Sequence, residues 1–188
     1  MKFQLSQADC ISNTCDTLVI ALNESGLTAS AKAVDKASNG NIQSLLESGD
    51  FKGKAGETLL LPLLPGVNAK RVLLVGLGKD SKTKDFIKAC DKAAAALIGS
   101  ATKQASLYLS EVAVADRDDA WKARQQVIAL QNASYKFTET KSPAKDEAKA
   151  IEVIEIATSS EENALLQGAA IGAGMNAAKE LGDLPPNI

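Results

Sequence analysis

The sequence predicts an α/β domain built on a mixed, mostly parallel sheet of about six strands, with helices between the strands. Three observations lead to this fold class. Apolar runs of strand length alternate with amphipathic stretches of helix length. Turn signals such as Pro65-Gly66 separate these runs. The chain has 188 residues, 45% of them hydrophobic, which is enough to enclose one sizeable core.

In the first half of the chain, two strands are the best-defined elements. Residues 17–22 are apolar without alternation, which indicates a strand buried on both faces, and residues 71–75 read as a central strand. Pro62 has no amide hydrogen, so its strand, 58–63, ends there or lies at a sheet edge. The other predicted elements are a strand around Phe3 and Leu5, a helix at 27–37 capped by Thr28, and a helical turn around Ile42, Leu45 and Leu46.

The second half begins with a predicted helix at 81–98, whose apolar stripe contains Phe86, Ile87, Cys90, Ala94 and Leu97. A strand at 105–109 and a helix at 116–135 follow, the helix having Trp121, Ile128 and Leu130 as its larger apolar members. Residues 141–147 are predicted to form a solvated loop. Partial alternation in residues 151–156 predicts a half-exposed strand.

Residues 159–182 predict a final helix of about six turns. Ser159 and Glu162 have the spacing of a capping box, and Gly182 suits the left-handed position just beyond a helix end. Pro185 and Pro186 prevent the helix from resuming and favour an extended exit. Because an apolar Ile188 at the end of such an exit would be left without packing, we expect these residues to be the front part of a longer protein.

Composition excludes several classes of function. The chain contains no histidine, which removes Ser-His-Asp and Cys-His catalysis and every histidine metal site. A net charge of −2 and 4% aromatic residues argue against a nucleic-acid binder. The odd number of cysteines, three, fits a reducing cytosol, so a cytoplasmic location is expected. No signal peptide and no apolar run of membrane-spanning length are predicted.

The sequence Gly76-Leu77-Gly78-Lys79-Asp80-Ser81 lies where phosphate sites occur, at the carboxyl end of a strand that leads into a helix. It lacks the third glycine of a dinucleotide fingerprint and the Gly-Lys-Ser/Thr of a P-loop. We therefore favour a tight strand-to-helix turn over a phosphate cradle.

Other candidate clusters also have structural explanations. Cys10 and Cys15 cannot form a four-ligand zinc site without a second pair, and Cys90 lies on an apolar stripe. Interleaved aspartates make the lysine-rich region 70–92 a solvated, self-paired face. Asp116, Asp118 and Asp119 suit the first turn of a helix. Gly168, Gly172 and Gly174 predict close packing of the final helix against a neighbour. No catalytic, cofactor-binding or metal-binding residue is predicted in this chain.

Two stretches carry a family resemblance. Residues 49–58, from Gly49-Asp50-Phe51 to Glu57-Thr58, together with Lys70-Arg71-Val72-Leu73-Leu74-Val75-Gly76-Leu77-Gly78, resemble the N-terminal domain of cytosolic leucyl aminopeptidases. Residues 174–188, which include Asn176, Lys179-Glu180-Leu181 and Leu184-Pro185-Pro186-Asn187, resemble the junction that joins this domain to the catalytic domain. Asp183 departs from the asparagine common there.

The resemblance implies a macro-domain-like, three-layer fold for residues 1–158 and an interdomain helix with the start of a linker for residues 159–188. It implies a longer protein in which an absent catalytic domain binds two divalent metals, Zn, Mn or Mg, and removes N-terminal residues from peptides. Full-length relatives are hexamers, so this domain is expected to contribute to assembly and to control of access without being catalytic. The alternative is a stand-alone ligand- or nucleic-acid-binding module of macro-like fold.

Overall fold

A computed structural model describes residues 1–137 and 150–184 of the chain. The strands are β1 Lys2–Leu5, β2 Thr17–Asn23, β3 Gly26–Leu27, β4 Thr58–Pro62, β5 Arg71–Gly76, β6 Gln104–Leu107 and β7 Val153–Ile156. The helices are α1 Ala29–Ala37, α2 Asn41–Ser48, α3 Thr83–Ile98, α4 Asp119–Ser134 and α5 Asn163–Asp183, with a 3-10 turn at Leu109–Glu111. The predicted loop at 141–147 lies outside the described residues.

The sheet has the strand order β1-β7-β6-β2-β5-β4, with the short β3 paired to β2 alone. Neighbouring strands from β1 to β5 in this order are parallel, while β4 and β3 run antiparallel to their partners. The predicted mixed, mostly parallel sheet is therefore confirmed. Pro62 ends β4, the antiparallel edge strand, where its missing amide hydrogen breaks no central ladder.

Helices cover both faces of the sheet and form two apolar cores. Residues of α1 and α2 pack on one face with Leu18, Ile20 and Leu22 of β2. Residues of α3, α4 and α5 pack on the other face, against Val19 and Ala21. β2 is therefore buried on both sides, as its unbroken apolar run predicts.

The start and the end of the final helix differ from the sequence prediction. Glu162 has helical backbone angles and makes no side-chain cap, and Ser159 bonds Asp119 of α4 instead, so the predicted capping box is wrong. Gly182 lies within α5, which continues to Asp183. The chain leaves the helix at Leu184, because a residue that precedes proline disfavours helical angles.

α5 packs along α4, and two glycines permit the close approach. A Cβ at Gly168 would lie 2.8 Å from Cβ of Val127, and one at Gly172 would lie 2.5 Å from Cβ of Gln131. Farther along, Asn176 Nδ2 donates to the Gln131 carbonyl at 3.0 Å. The path of α5 over the domain is therefore fixed for most of its length.

Candidate functional site

The glycine loop after β5 lies at the carboxyl edge of the sheet, where ligands of open α/β folds bind. Its amides donate to backbone carbonyls of this chain: Gly76 to Glu57 at 2.8 Å, Leu77 to Leu22 at 2.9 Å and Gly78 to Gly53 at 2.8 Å. A Cβ at Gly76 would collide with the Lys54 carbonyl oxygen. The glycines thus permit a close approach of the turn at residues 53–57, and the amides of Gly76, Leu77 and Gly78 are all used within the chain.

The turn before β4 is closed by a carboxylate. Glu57 Oε2 accepts the amide hydrogens of Lys52 and Lys54, both at 3.0 Å. Paired backbone amides of this kind form the concave sites that bind anions in other proteins. Here the chain's own side chain takes that position.

A second carboxylate lies at the N-terminus of α1. Glu111, from the 3-10 turn after β6, accepts the Ser30 amide at 3.0 Å and the Ser30 hydroxyl at 2.5 Å. The Thr28 hydroxyl accepts the Ala31 amide at 3.3 Å, which confirms the predicted cap. Helix N-termini attract anions, but this one is already neutralised by Glu111.

An open hollow of about 410 Å³ lies beside the same edge, between the β2–β3 turn and α2. Glu24 and Glu47 contribute to its lining, together with Lys52. Two carboxylates against one ammonium disfavour an anionic ligand. The geometry of the carboxyl edge therefore favours the structural interpretation of the glycine loop.

The cysteines are buried thiols with no disulfide among them. Burial raises the pKa of Cys10 to about 11 and also raises the pKa of Cys15 and of Cys90. Thiolate formation, which nucleophilic or metal-binding chemistry requires, is thus disfavoured at each of them. Across residues 1–137 and 150–184, no three His, Cys, Asp or Glu side chains are grouped so that they could hold a metal ion.

The charged clusters that the sequence presents have local partners. Asp118 Oδ1 accepts the Trp121 amide at 2.7 Å and caps α4. Asp119 pairs with Lys122 at 2.6 Å, and Lys82 pairs with Asp80 at 3.1 Å. These contacts explain Asp118 and Asp119 by the start of α4. Asp116 lies before the helix with a left-handed φ of 59°, so the predicted helix start at 116 is three residues too early.

Lys122 and Gln126 of α4 are buried, a feature that the sequence does not reveal. Lys122 is 5% exposed, and its ammonium donates to the Ser110 carbonyl at 2.5 Å and to the Val112 carbonyl at 3.0 Å. Gln126 Nε2 donates to the Ser110 hydroxyl at 2.7 Å. Together they fix the segment after β6 against α4.

A second polar network crosses the sheet on the face that α1 and α2 cover in part. Glu155 of β7 accepts hydrogen bonds from Gln4 at 3.0 Å, Asn13 at 3.1 Å and Ser106 at 2.7 Å. Burial raises the pKa of Glu155, but these hydrogen bonds outweigh it and the net pKa is lowered. Alternation in β7 predicts an outward Glu155, whereas no local signal marks Asn13. The network holds the segment before β2 on the sheet.

Asp16 connects the amino ends of several strands. Its carboxylate accepts the amides of Lys103 at 2.9 Å and Gln104 at 3.1 Å and pairs with Lys70 at 2.7 Å. The hydrogen bond from Lys70, with those from the two amides, lowers the pKa of Asp16 from 3.8 to about 2, although burial acts in the opposite direction.

Replacing Asp16 with asparagine is expected to flatten the acid limb of the stability curve. A lowered pKa contributes stability that is present above pH 3.8 and lost as the pH falls toward about 2. Asp16→Asn removes this titration, so its free energy of unfolding should depend less on pH in that window. Urea unfolding at a series of pH values measures it, and an unchanged slope would contradict the assignment.

Among the helices of the described chain, none combines the length and the hydropathy of a segment that crosses a membrane.

Comparison with known proteins identifies relatives of this chain. A family model described as the N-terminal domain of the cytosol aminopeptidase family matches residues 18–144. A probable cytosol aminopeptidase of Stenotrophomonas maltophilia is 46% identical over 175 residues, which are 92% of this chain and 35% of that protein. One from Xylella fastidiosa is 39% identical over 192 residues, covering all of this chain and 39% of the relative. The chain thus spans well under half the length of these relatives.

Solved structures with the same fold include an aminopeptidase and a macrodomain. A mutant of tomato leucine aminopeptidase superposes on the whole chain with a TM-score of 0.79 and 21% identity, and the match covers 39% of that structure. A Trypanosoma brucei macrodomain superposes on 88% of the chain with a TM-score of 0.62 and 14% identity, covering 65% of that structure. At these identities the likeness concerns the fold, and the predicted macro-domain-like architecture is confirmed.

Proposed function

Since the chain belongs to the cytosol aminopeptidase family, as an N-terminal domain, we propose that it is the non-catalytic part of a di-metal leucyl aminopeptidase. The complete protein would remove N-terminal residues from peptides in the cytoplasm, with two divalent metals, Zn, Mn or Mg, held by a catalytic domain. Residues 1–158 form the macro-like domain, and residues 159–188 form the interdomain helix and the start of the linker.

The observation that carries this proposal is the filled carboxyl edge of the sheet. Glu57 and Glu111 each accept backbone amides at this edge, and the amides of Gly76, Leu77 and Gly78 bond within the chain. A domain that keeps the fold but fills its ligand crevice is suited to a structural role. We assign it to assembly of the enzyme and to control of access to the catalytic site.

The 188-residue chain is expected to hydrolyse no leucine p-nitroanilide, with or without added Mn²⁺. The reason is that the family's metal ligands, those of the catalytic domain, have no counterpart in its residues. Release of nitroaniline, followed by absorbance, measures the activity, and a full-length relative such as the Stenotrophomonas protein serves as the positive control. Metal-dependent turnover by the pure chain would refute the non-catalytic role.

The alternative function is a ligand- or nucleic-acid-binding module, which the macrodomain fold favours by analogy alone. With the crevice filled, calorimetric titration with ADP-ribose is expected to give no saturable heat. The Trypanosoma brucei macrodomain, which has the same fold, can be titrated in parallel for comparison. Saturable binding to this chain would shift the assignment from assembly to ligand recognition. A gel shift with duplex DNA that weakens as salt rises would shift it to nucleic acid.

A further inference from the structure

The turn between α1 and α2 contains an asparagine followed by a glycine, Asn39-Gly40. The chain has eight other asparagines, and none of them precedes a glycine. The pair matters chemically, because the backbone nitrogen of the next residue can attack the side-chain carbonyl of an asparagine. Glycine has no side chain to obstruct this attack, and its backbone is the most flexible. Asn39 is therefore the asparagine of this sequence that is best suited to lose its amide group.

The structure leaves this turn open to solvent. Asn39 is exposed, although Ser38 beside it is fully buried. Asn39 and Gly40 both have left-handed backbone angles, with φ of 59° and 82°, so the chain turns sharply between the two helices. A Cβ at Gly40 would meet no atom within 4 Å. No described part of the chain therefore packs against Gly40 on that side, and water can reach the turn.

The folded turn also restrains the nitrogen that would attack. The Gly40 amide donates to the Asp35 carbonyl at 2.8 Å, at the end of α1. The Gln43 amide donates to Oδ1 of Asp35 at 2.9 Å, which holds the first turn of α2. An amide nitrogen attacks only after it gives up its proton and comes close to the carbonyl carbon. The bond between Gly40 and Asp35 must therefore open first, and the bond to Gln43 opposes that opening.

We propose that Asn39 is a site of spontaneous deamidation in this chain and that opening of the α1–α2 turn sets its rate. The Gly40 nitrogen forms a bond to Cγ of Asn39, and its proton leaves with the side-chain nitrogen as ammonia, which gives a cyclic imide. Water then opens the imide at one of its two carbonyls. Cleavage of the new bond gives aspartate. Cleavage of the original peptide bond gives isoaspartate, in which the main chain runs through the former side chain.

The two products should affect the fold differently. Aspartate keeps the backbone and is tolerated at left-handed angles, as asparagine is. Isoaspartate adds one carbon to the main chain between the helices, which should break the bond between Gly40 and Asp35 and displace the start of α2. Ile42, in that first turn, is fully buried in the core. The isoaspartyl form should therefore melt about 2–4 °C lower, as loss of one helix cap predicts for a domain of this size.

The reaction requires neither a peptidase nor a ligand, and α1 and α2 pack on the face of the sheet opposite α5. It therefore does not depend on the function proposed above, and either proposal can fail without the other.

Peptide mapping by mass spectrometry tests the site. The folded chain is incubated in mildly alkaline buffer and then digested at mildly acidic pH, which stops the reaction. Asn39 should convert before any of the other eight asparagines. Isoaspartyl methyltransferase, added as a reagent, labels only the isoaspartyl product, which has the same mass as the aspartyl one. Earlier conversion of another asparagine, or no conversion at Asn39, would overturn the site.

The role of the turn is tested by changing how readily it opens. A synthetic peptide of residues 36–43 is the unfolded reference and should deamidate at least about tenfold faster than the folded chain. Asp35→Ala removes the acceptor of the Gln43 amide, and loss of such a cap should speed deamidation of the folded chain about fivefold. Equal rates in the peptide and the chain would show that the turn gives no protection.

Two variants serve as matched controls for Asp35→Ala. Asp35→Asn removes the charge but keeps an oxygen that can accept the Gln43 amide, so its rate should stay near that of the unaltered chain. Glu47→Ala removes the carboxylate that accepts Nε2 of Gln43 at 3.0 Å and leaves the backbone bond to Asp35 intact. If either control deamidated as fast as Asp35→Ala, or if Asp35→Ala kept the rate of the unaltered chain, control by the turn would be overturned.

Discussion

Replacing Lys122 with methionine is expected to lower the free energy of unfolding by about 3 kcal/mol. The ammonium bonds the buried carbonyls of Ser110 and Val112 and pairs with Asp119. Methionine keeps most of the side-chain volume but leaves these carbonyls without a donor. Urea unfolding followed by the fluorescence of the single tryptophan, Trp121, measures the loss.

Lys82→Met provides the matched control. Lys82 is an exposed lysine in a surface pair with Asp80, and removal of such a pair changes stability by less than about 1 kcal/mol. If Lys122→Met were as mild as Lys82→Met, the buried network would contribute little. The segment after β6 would then be held by its apolar contacts alone.

Gly168→Ala and Gly174→Ala are expected to change stability in opposite directions. At Gly168 the added methyl would lie 2.8 Å from Cβ of Val127 and 3.1 Å from the Arg124 carbonyl oxygen. Forcing α4 and α5 apart should cost about 1–3 kcal/mol. At Gly174 the methyl meets open space, so the gain in helix propensity, up to about 1 kcal/mol, should remain.

Thermal unfolding of both variants measures this difference. Because both variants make the same substitution in the same helix, helix propensity cannot explain a difference in the sign of their stability changes. If both variants were stabilised, α5 would not be packed on α4 as the structure describes.

The sheet could be predicted because its strands carry their own signals. Residues 18–22 of β2, which helices cover on both faces, are all apolar, and Pro62 marks an edge strand. The ends of α5 could not be predicted in the same way. The Ser159 hydroxyl donates to Asp119, 40 residues earlier in the chain, instead of capping α5. A local capping pattern cannot show such a long-range partner.

The position of the candidate site could be predicted from the sequence, but the hydrogen-bond partners of its amides could not. The glycine loop lies at the carboxyl end of a strand, as its sequence indicates, yet the partners of its amides come from residues 53 and 57 and from β2. Lys122 and Gln126 look like the solvated face of a helix, because the carbonyl and hydroxyl that they bond belong to Ser110 in another element. Local periodicity carries no information about such partners.

The strand order also sets the timing of folding during synthesis. β1 is made before the other strands of the sheet, yet it pairs only with β7, whose Val153 lies opposite Lys2. At about 5–20 residues per second, roughly 8–30 s pass before that partner is made. Throughout this interval β1 has no partner, and once β6 is made, its edge stays open until β7 follows. Chaperones that bind the nascent chain would therefore encounter this domain while β1 is still unpaired.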